Sequence, residues 1–156
     1  MEPNKFYASL PKKYLSAGAL IFNQKKEILL VKPNYKPKWS FPGGAADKGE
    51  SLKATCLREV REEIGLDINI NGLLLVSYFK KYVPIIDKEN EYVQFIFYGG
   101  IISKEKIRKI RINHKELSEY TFATSAKASQ MMRGGKRQIP ILLKAQKNRT
   151  CYYLER

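Results

Sequence analysis

Apolar residues gather in short dense runs through the first third of this chain. Residues 14–22 (YLSAGALIF) and 27–32 (EILLVK) are rich in aliphatic side chains and flank the polar turn Asn23–Lys26, a pattern that predicts two strands. Residues 32–38 (KPNYKPK) carry two prolines, which cannot donate to a ladder, and predict a loop. From Ser51 to Ile64 the rhythm lengthens to that of a helix. Ala54, Leu57, Val60 and Ile64 recur on one side and predict the packed face. Ser51 offers an oxygen to cap the start, and Gly65 stands where a left-handed residue closes a helix.

Farther along, residues 70–79 (INGLLLVSYF) and 91–103 (EYVQFIFYGGIIS) are β-branched and aromatic and predict strands, with 83–91 as an exposed connector. Residues 121–132 (TFATSAKASQMM) and 139–148 (IPILLKAQKN) predict two helices split by a break at 133–137 (RGGKR), and 151–155 (CYYLE) a last short strand. This order predicts an α/β chain whose mixed sheet is covered on both sides. At 156 residues it suits one domain over 1–156, with 1–12 as an N-terminal tail.

Composition narrows the classes. A hydrophobic fraction of 44% and a charged fraction of 28% describe an ordinary globular protein. No apolar run is long enough to span a bilayer, and the N-terminus lacks the apolar centre of a secretory signal. Cys56 and Cys151 stand far apart without metal-ligand spacing, as in a cytoplasmic protein with free thiols. The formal charge is +14 and uneven: residues 1–100 hold 15 basic and 11 acidic side chains, residues 101–156 hold 14 and 4. Such a field attracts nucleotides, polyphosphates or nucleic acid, although scattered lysines serve solubility equally well.

Against that positive background, REVREEIGL places Glu59, Glu62 and Glu63 together, directly behind the glycine turn of WSFPGGAADKGES. Glu59 and Glu63 are neighbours one turn apart, on a side nearly opposite the apolar face. Spacing alone leaves two readings open: a solvated acidic face paired with Arg58 and Arg61, or a cation site. The double glycine favours the second, because a sharp turn brings main-chain carbonyls near the helix. Carboxylate and carbonyl oxygens suit a hard cation such as magnesium, which shares its shell with phosphates.

Gly44, five residues, Glu50, seven residues, then Arg58-Glu59-Val60-Arg61-Glu62-Glu63-Ile64-Gly65-Leu66 resembles the signature box of the Nudix hydrolases, the family that includes MutT, without departure at any specified position. Trp39, Phe41, Pro42 and Gly43 resemble the usual lead-in. The resemblance implies an α/β/α sandwich in which the box forms a loop, helix and loop on a mixed sheet. It further implies Mg²⁺-dependent (alternatively Mn²⁺-dependent) hydrolysis of a pyrophosphate bond in a nucleoside diphosphate linked to another moiety. Carried over by position, Glu59, Glu63 and Glu62 hold metal, with the carbonyl of Gly43. Glu62 or Glu116 moves the proton, with Glu119 as fallback. Arg58 pairs with Glu50 to hold loop and helix in register, and Gly44 and Gly65 shape the box.

For substrate recognition, Lys32, Lys36 and Lys38 flank the loop before the glycine turn, and Trp39 or Phe41 offers a ring to a base. Tyr82 lies where diadenosine polyphosphate hydrolases carry a tyrosine, whereas Pro84 falls later than the proline of ADP-ribose hydrolases. A small nucleotide, foremost a nucleoside triphosphate, is the expected substrate. Alternatives are 5′-phosphorylated RNA ends, dinucleoside polyphosphates, and a non-catalytic nucleotide-sensing module. The resemblance leaves a homodimer open.

Overall fold

A computed structural model describes residues 2–156. Among them the chain runs α1 (Pro3–Ser9), β1 (Tyr14–Asn23), β2 (Ile28–Pro33), β3 (Gly43–Ala45), α2 (Leu52–Ile64), β4 (Leu73–Val83), β5 (Lys88–Ile102), α3 (Lys104–Arg108), β6 (Leu117–Ala123), α4 (Ser125–Met131), α5 (Gly135–Asn148) and β7 (Tyr152–Glu155). The sheet order is β6-β2-β1-β5-β4-β7, with β3 pairing on β1. It is mixed: β1 runs parallel to β5 and β4 parallel to β7, and the other pairings are antiparallel. α1 buries none of its residues.

The period of two in β1 and β2 decides how the sheet is covered. Ala17, Ala19, Ile21, Leu29 and Val31 face α2 and pack with Cys56, Val60 and Ile64. The alternate residues Leu20, Phe22, Ile28 and Leu30 face the other way, onto Ala128, Ile139, Leu142 and Ala145 of α4 and α5. The result is an α/β/α sandwich with one core on each side of the sheet.

Several sequence expectations change. Residues 121–123 end strand β6 rather than begin a helix. Tyr120 and Phe122 alternate inward beside α2 while the strand pairs with β2, and Thr124 then caps α4 by accepting from Lys127 N at 3.3 Å. The connector at 83–91 shrinks to Pro84–Asp87, because β4 and β5 pair through Val83↔Lys88. The break at 133–137 is also shorter, since α5 already starts at Gly135. The packed face of α2 is rotated. Ala54 is exposed and Leu57 half-buried, whereas Thr55, Cys56, Val60, Glu63 and Ile64 are buried.

Candidate active site

α2 starts and stops where its sequence directs. Ser51 Oγ accepts from Ala54 N at 3.2 Å, and Gly65 closes the helix at φ 72°, its N–H donating to Arg61 O at 2.9 Å. The last turn is then tied down by the segment before β6: Arg111 N donates to Ile64 O at 3.0 Å and Asn113 N to Glu63 O at 2.9 Å. That docking carries Glu116 to the helix. The loop after β2 joins the same junction, Asn34 N donating to Glu116 O at 2.8 Å.

Glu59, Glu63 and Glu116 converge there, each presenting a carboxylate oxygen within 4.8 Å of the others. Glu63 is only 7% exposed, so it lies against the sheet and not on the solvent side expected of it. The glycine turn makes this room. β3 presses on β1 through Gly43↔Gly18, with Gly43 at φ 150°, and a Cβ at Gly44 would stand 2.5 Å from the Glu59 carboxylate. The Gly43 N–H donates to Glu63 Oε2 at 2.8 Å, so the amide of this residue faces the cluster.

Burial pushes the Glu63 carboxyl up to about 8; the Gly43 N–H opposes the rise, and Glu59 and Glu116 add to it. Glu59 is raised by burial first, with Arg58 opposing and Glu62 and Glu116 adding. Negative charge is therefore under-compensated at this spot. An all-oxygen donor set from three carboxylates fits a hard divalent cation, and a cation there would offset the rise at Glu59 and Glu63.

Arg58 braces the surroundings. Its Nε and Nη2 donate to Glu50 Oε1 and Oε2 at 2.8 and 3.0 Å, and Nη2 also reaches Ala45 O at 3.0 Å. Nη1 contacts Glu59 Oε1 at 2.9 Å and Glu62 Oε2 at 3.0 Å. With Thr55 Oγ1 donating as well, at 2.7 Å, the Glu50 carboxyl is held down at about 2, chiefly by Arg58. One guanidinium thus locks the glycine loop to the helix and holds Glu59. Glu62 lies on Arg58 and about half exposed, outside the three-carboxylate cluster. Glu119 pairs in register with Lys32 on the β2–β6 ladder and is also outside it.

Beside the carboxylates opens a cleft of about 570 Å³, lined by the 35–41 loop, Phe79 to Lys81 near the end of β4, Gln94 midway along β5, the entry to α5 and Arg156. Lys38 and Phe41 line it, Phe41 as a core residue 6% exposed. Lys32 is instead occupied with its own loop, donating to Lys36 O at 3.3 Å and to Pro37 O. Tyr82 sits away from the cleft, its hydroxyl donating to Asp87. The structure adds residues that spacing did not single out: Phe79, Lys80, Lys81, Gln94, Arg133, Arg137 and Arg156 all reach the cleft. The Tyr35 hydroxyl feels the cluster as well, raised by local burial and by Glu63, Glu116 and Glu59.

Residues 12–143 match the family model described as NUDIX domain. The chain belongs to the NUDIX family. RNA pyrophosphohydrolase of Campylobacter jejuni subsp. doylei is 31% identical over 119 residues, 65% of this chain and 67% of that protein. Nucleoside diphosphate-linked moiety X motif 6 of Xenopus laevis is 33% identical over 79 residues, 49% of this chain and 36% of that protein. A Bacillus subtilis relative, provisionally named 8-oxo-dGTP diphosphatase, is 33% identical over 85 residues, 54% of this chain and 52% of its own length. The chain thus spans about half or less of the length of several curated relatives. Among solved structures, the MutT protein of Methanosarcina mazei Go1 superposes with a TM-score of 0.68 at 23% identity, covering 90% of this chain and 99% of its own. That likeness establishes the shared NUDIX fold. No helix among the described residues is long and apolar enough to cross a membrane.

Proposed function

We propose that this chain hydrolyses a pyrophosphate linkage in a small nucleotide, with a nucleoside triphosphate as the first candidate. The observation that carries the reading is the convergence of Glu59, Glu63 and Glu116 beside a cation-lined cleft. Glu59 and Glu63, with the Gly43 carbonyl, are assigned to hold Mg²⁺, or Mn²⁺ in its place. A cation held there would supply charge neutralisation for phosphate oxygens and would lower the pKa of a bound water. Glu116 is the exposed member, and its Oε1 accepts from Asn113 Nδ2 at 3.1 Å. We assign it to accept the proton of the attacking water. The water oxygen bonds to phosphorus, the anhydride P–O bond breaks, and the phosphate leaving group carries the electron pair away in line. Lys36 and Lys38 attract the phosphates as point charges.

The test is phosphate or pyrophosphate release with Mg²⁺ across nucleoside triphosphates, dinucleoside polyphosphates, nucleotide sugars and 5′-triphosphorylated RNA. Turnover on one group, reduced about a hundredfold or more in Glu63→Gln, is expected. Silence across the panel from folded, Mg²⁺-binding protein would favour a nucleotide-sensing module.

A further inference from the structure

We infer that the cleft beyond the carboxylates reads a second phosphate, carried on the 3′ side of the nucleoside whose 5′-pyrophosphate is cleaved. The inference rests on the hydrolase reading above and names its substrate class: nucleoside 5′-polyphosphates that bear a 3′-phosphate or phosphodiester.

The cleft has a direction. Glu59, Glu63 and Glu116 stand just outside its lining, beside Tyr35 and Lys36, and the Lys36 ammonium feels both Glu63 and Lys81. Two residues along β4 from Lys81, about 7 Å for a strand, the Phe79 ring faces the cleft. The Arg156 guanidinium covers that ring, its carbon 4.3 Å from the centroid, and its Nη2 donates to Gln94 Oε1 at 3.0 Å. Arg133 and Arg137, from the entry to α5, line the cleft near Arg156 and repel it, and none of the three is among the charges felt by Glu63. The order is carboxylates, lysines, aromatic ring, arginines.

Its charge is one-signed. Four lysines (Lys36, Lys38, Lys80, Lys81) and three arginines line the cleft, and among the described residues no Asp or Glu does. None of the ion pairs formed among the described residues that involves an arginine includes Arg133, Arg137 or Arg156. The Nε of Arg156 is buried without a hydrogen-bond partner. Three mutually repelling guanidiniums at a half-enclosed site lower the energy of an anion placed between them, and arginine's planar fork suits phosphate oxygens. A buried donor without a partner also leaves the Arg156 guanidinium one acceptor short.

Laid along this path, a nucleoside 5′-polyphosphate has its phosphates at the carboxylate end and its ring system near Trp39, Phe41 and Phe79. The 3′ side of its ribose then points at the arginines. A dinucleoside polyphosphate carries its phosphates between two nucleosides and brings no phosphate to that end. The volume of about 570 Å³ accommodates one nucleotide with its substituents.

The decisive measurement is equilibrium binding to the full chain in Mg²⁺, because it needs no turnover. Adenosine 3′,5′-bisphosphate is expected to bind about tenfold or more tighter than adenosine 5′-monophosphate. Arg133→Ala and Arg137→Ala should collapse that ratio toward one, and Arg137→Lys should restore part of it. Equal affinity in the wild type overturns the inference, as does a ratio that survives both alanine substitutions in folded protein. Hydrolysis then identifies the source of the phosphate. Preference for pppApA over ATP indicates an RNA 5′ end, and preference for adenosine 3′-phosphate 5′-triphosphate over both indicates a free nucleotide. Hydrolysis of plain nucleoside triphosphates without any 3′-phosphate effect leaves the hydrolase reading standing and removes this one. A bisphosphate preference without turnover on any substrate does the reverse.

Discussion

In the absence of divalent metal, the stability of this protein should fall as pH rises from about 5 to 8, and Glu63 is the main cause. Its carboxyl moves from an ordinary 4.5 to about 8 in the folded chain. Because the folded value is the higher one, the folded state binds more protons between those limits. Stability is therefore complete below the unfolded pKa and is lost as pH climbs through the folded one. At about 1.4 kcal/mol per pH unit the full shift is worth about 5 kcal/mol, of which about 3–4 kcal/mol is lost between pH 5 and 8. Glu59 shifts in the same direction and adds to it. Glu50 moves oppositely, to about 2, so its contribution is lost only below about pH 4.5, and the two windows do not overlap. The assay is urea unfolding in EDTA at half-unit steps from pH 5 to 8, with m-values compared to keep the native state constant. Glu63→Gln should flatten the curve and leave the variant more stable than wild type at pH 8 without metal. Saturating Mg²⁺ should restore the wild type, by about 2.7 kcal/mol at a hundred times its dissociation constant, and should do so more strongly at pH 8 where protons compete less. A flat wild-type curve in EDTA, or one that Glu63→Gln leaves unchanged, would refute the placement of Glu63 in an under-compensated acidic cluster.

Three more tests bear on how the site is built. Gly44→Ala pushes a methyl to 2.5 Å from the Glu59 carboxylate and should weaken Mg²⁺ affinity about tenfold, read by metal titration of intrinsic tryptophan fluorescence. Arg58→Ala releases Glu50, Glu59 and the Ala45 carbonyl together. It should cut kcat/KM by about 10–100-fold. Arg58→Lys, which keeps the charge without the fork, should recover little of it. Ile64→Ala removes a fully buried side chain between α2 and the sheet. A destabilisation of about 2–5 kcal/mol is expected in denaturant unfolding.

What the sequence made legible was what lies close along the chain. Ser51, Gly65 and the apolar spacing between them define α2 because capping and helical periodicity act within a few residues. The Gly44–Leu66 spacing carries the family in the same way, since loop, helix and loop form one continuous segment. Trp39 to Gly44 could be placed near the glutamates for that reason alone. Strand β6 was obscured by composition: Thr121 to Met132 is rich in small and polar residues, and only the alternation of Tyr120 and Phe122 betrays a strand edge pairing with β2. The burial of Glu63 was hidden too, because a helical wheel sets it beside Glu59 but cannot show that β3 folds over that flank of α2.

The far half of the cleft was not legible, and the reason is topological. Phe79 comes from β4, Gln94 from β5, Arg133 and Arg137 from the entry to α5, and Arg156 from beyond β7. β5 is sandwiched between β1 and β4, and β7 returns alongside β4, so residues up to 77 positions apart (79 to 156) meet at one mouth. In the sequence these cations look like part of a diffuse excess of 10 positive charges over residues 101–156, indistinguishable from a solubility device. The fold sorts them. Lys104, Lys106 and Lys109 sit on or next to α3, on a different part of the surface, whereas Arg133, Arg137 and Arg156 line one cleft that among the described residues has no acidic lining. A charge surplus is therefore gathered into one cleft only through the sheet order, and the clustered glutamates and the arginines across the cleft differ in legibility for that single reason.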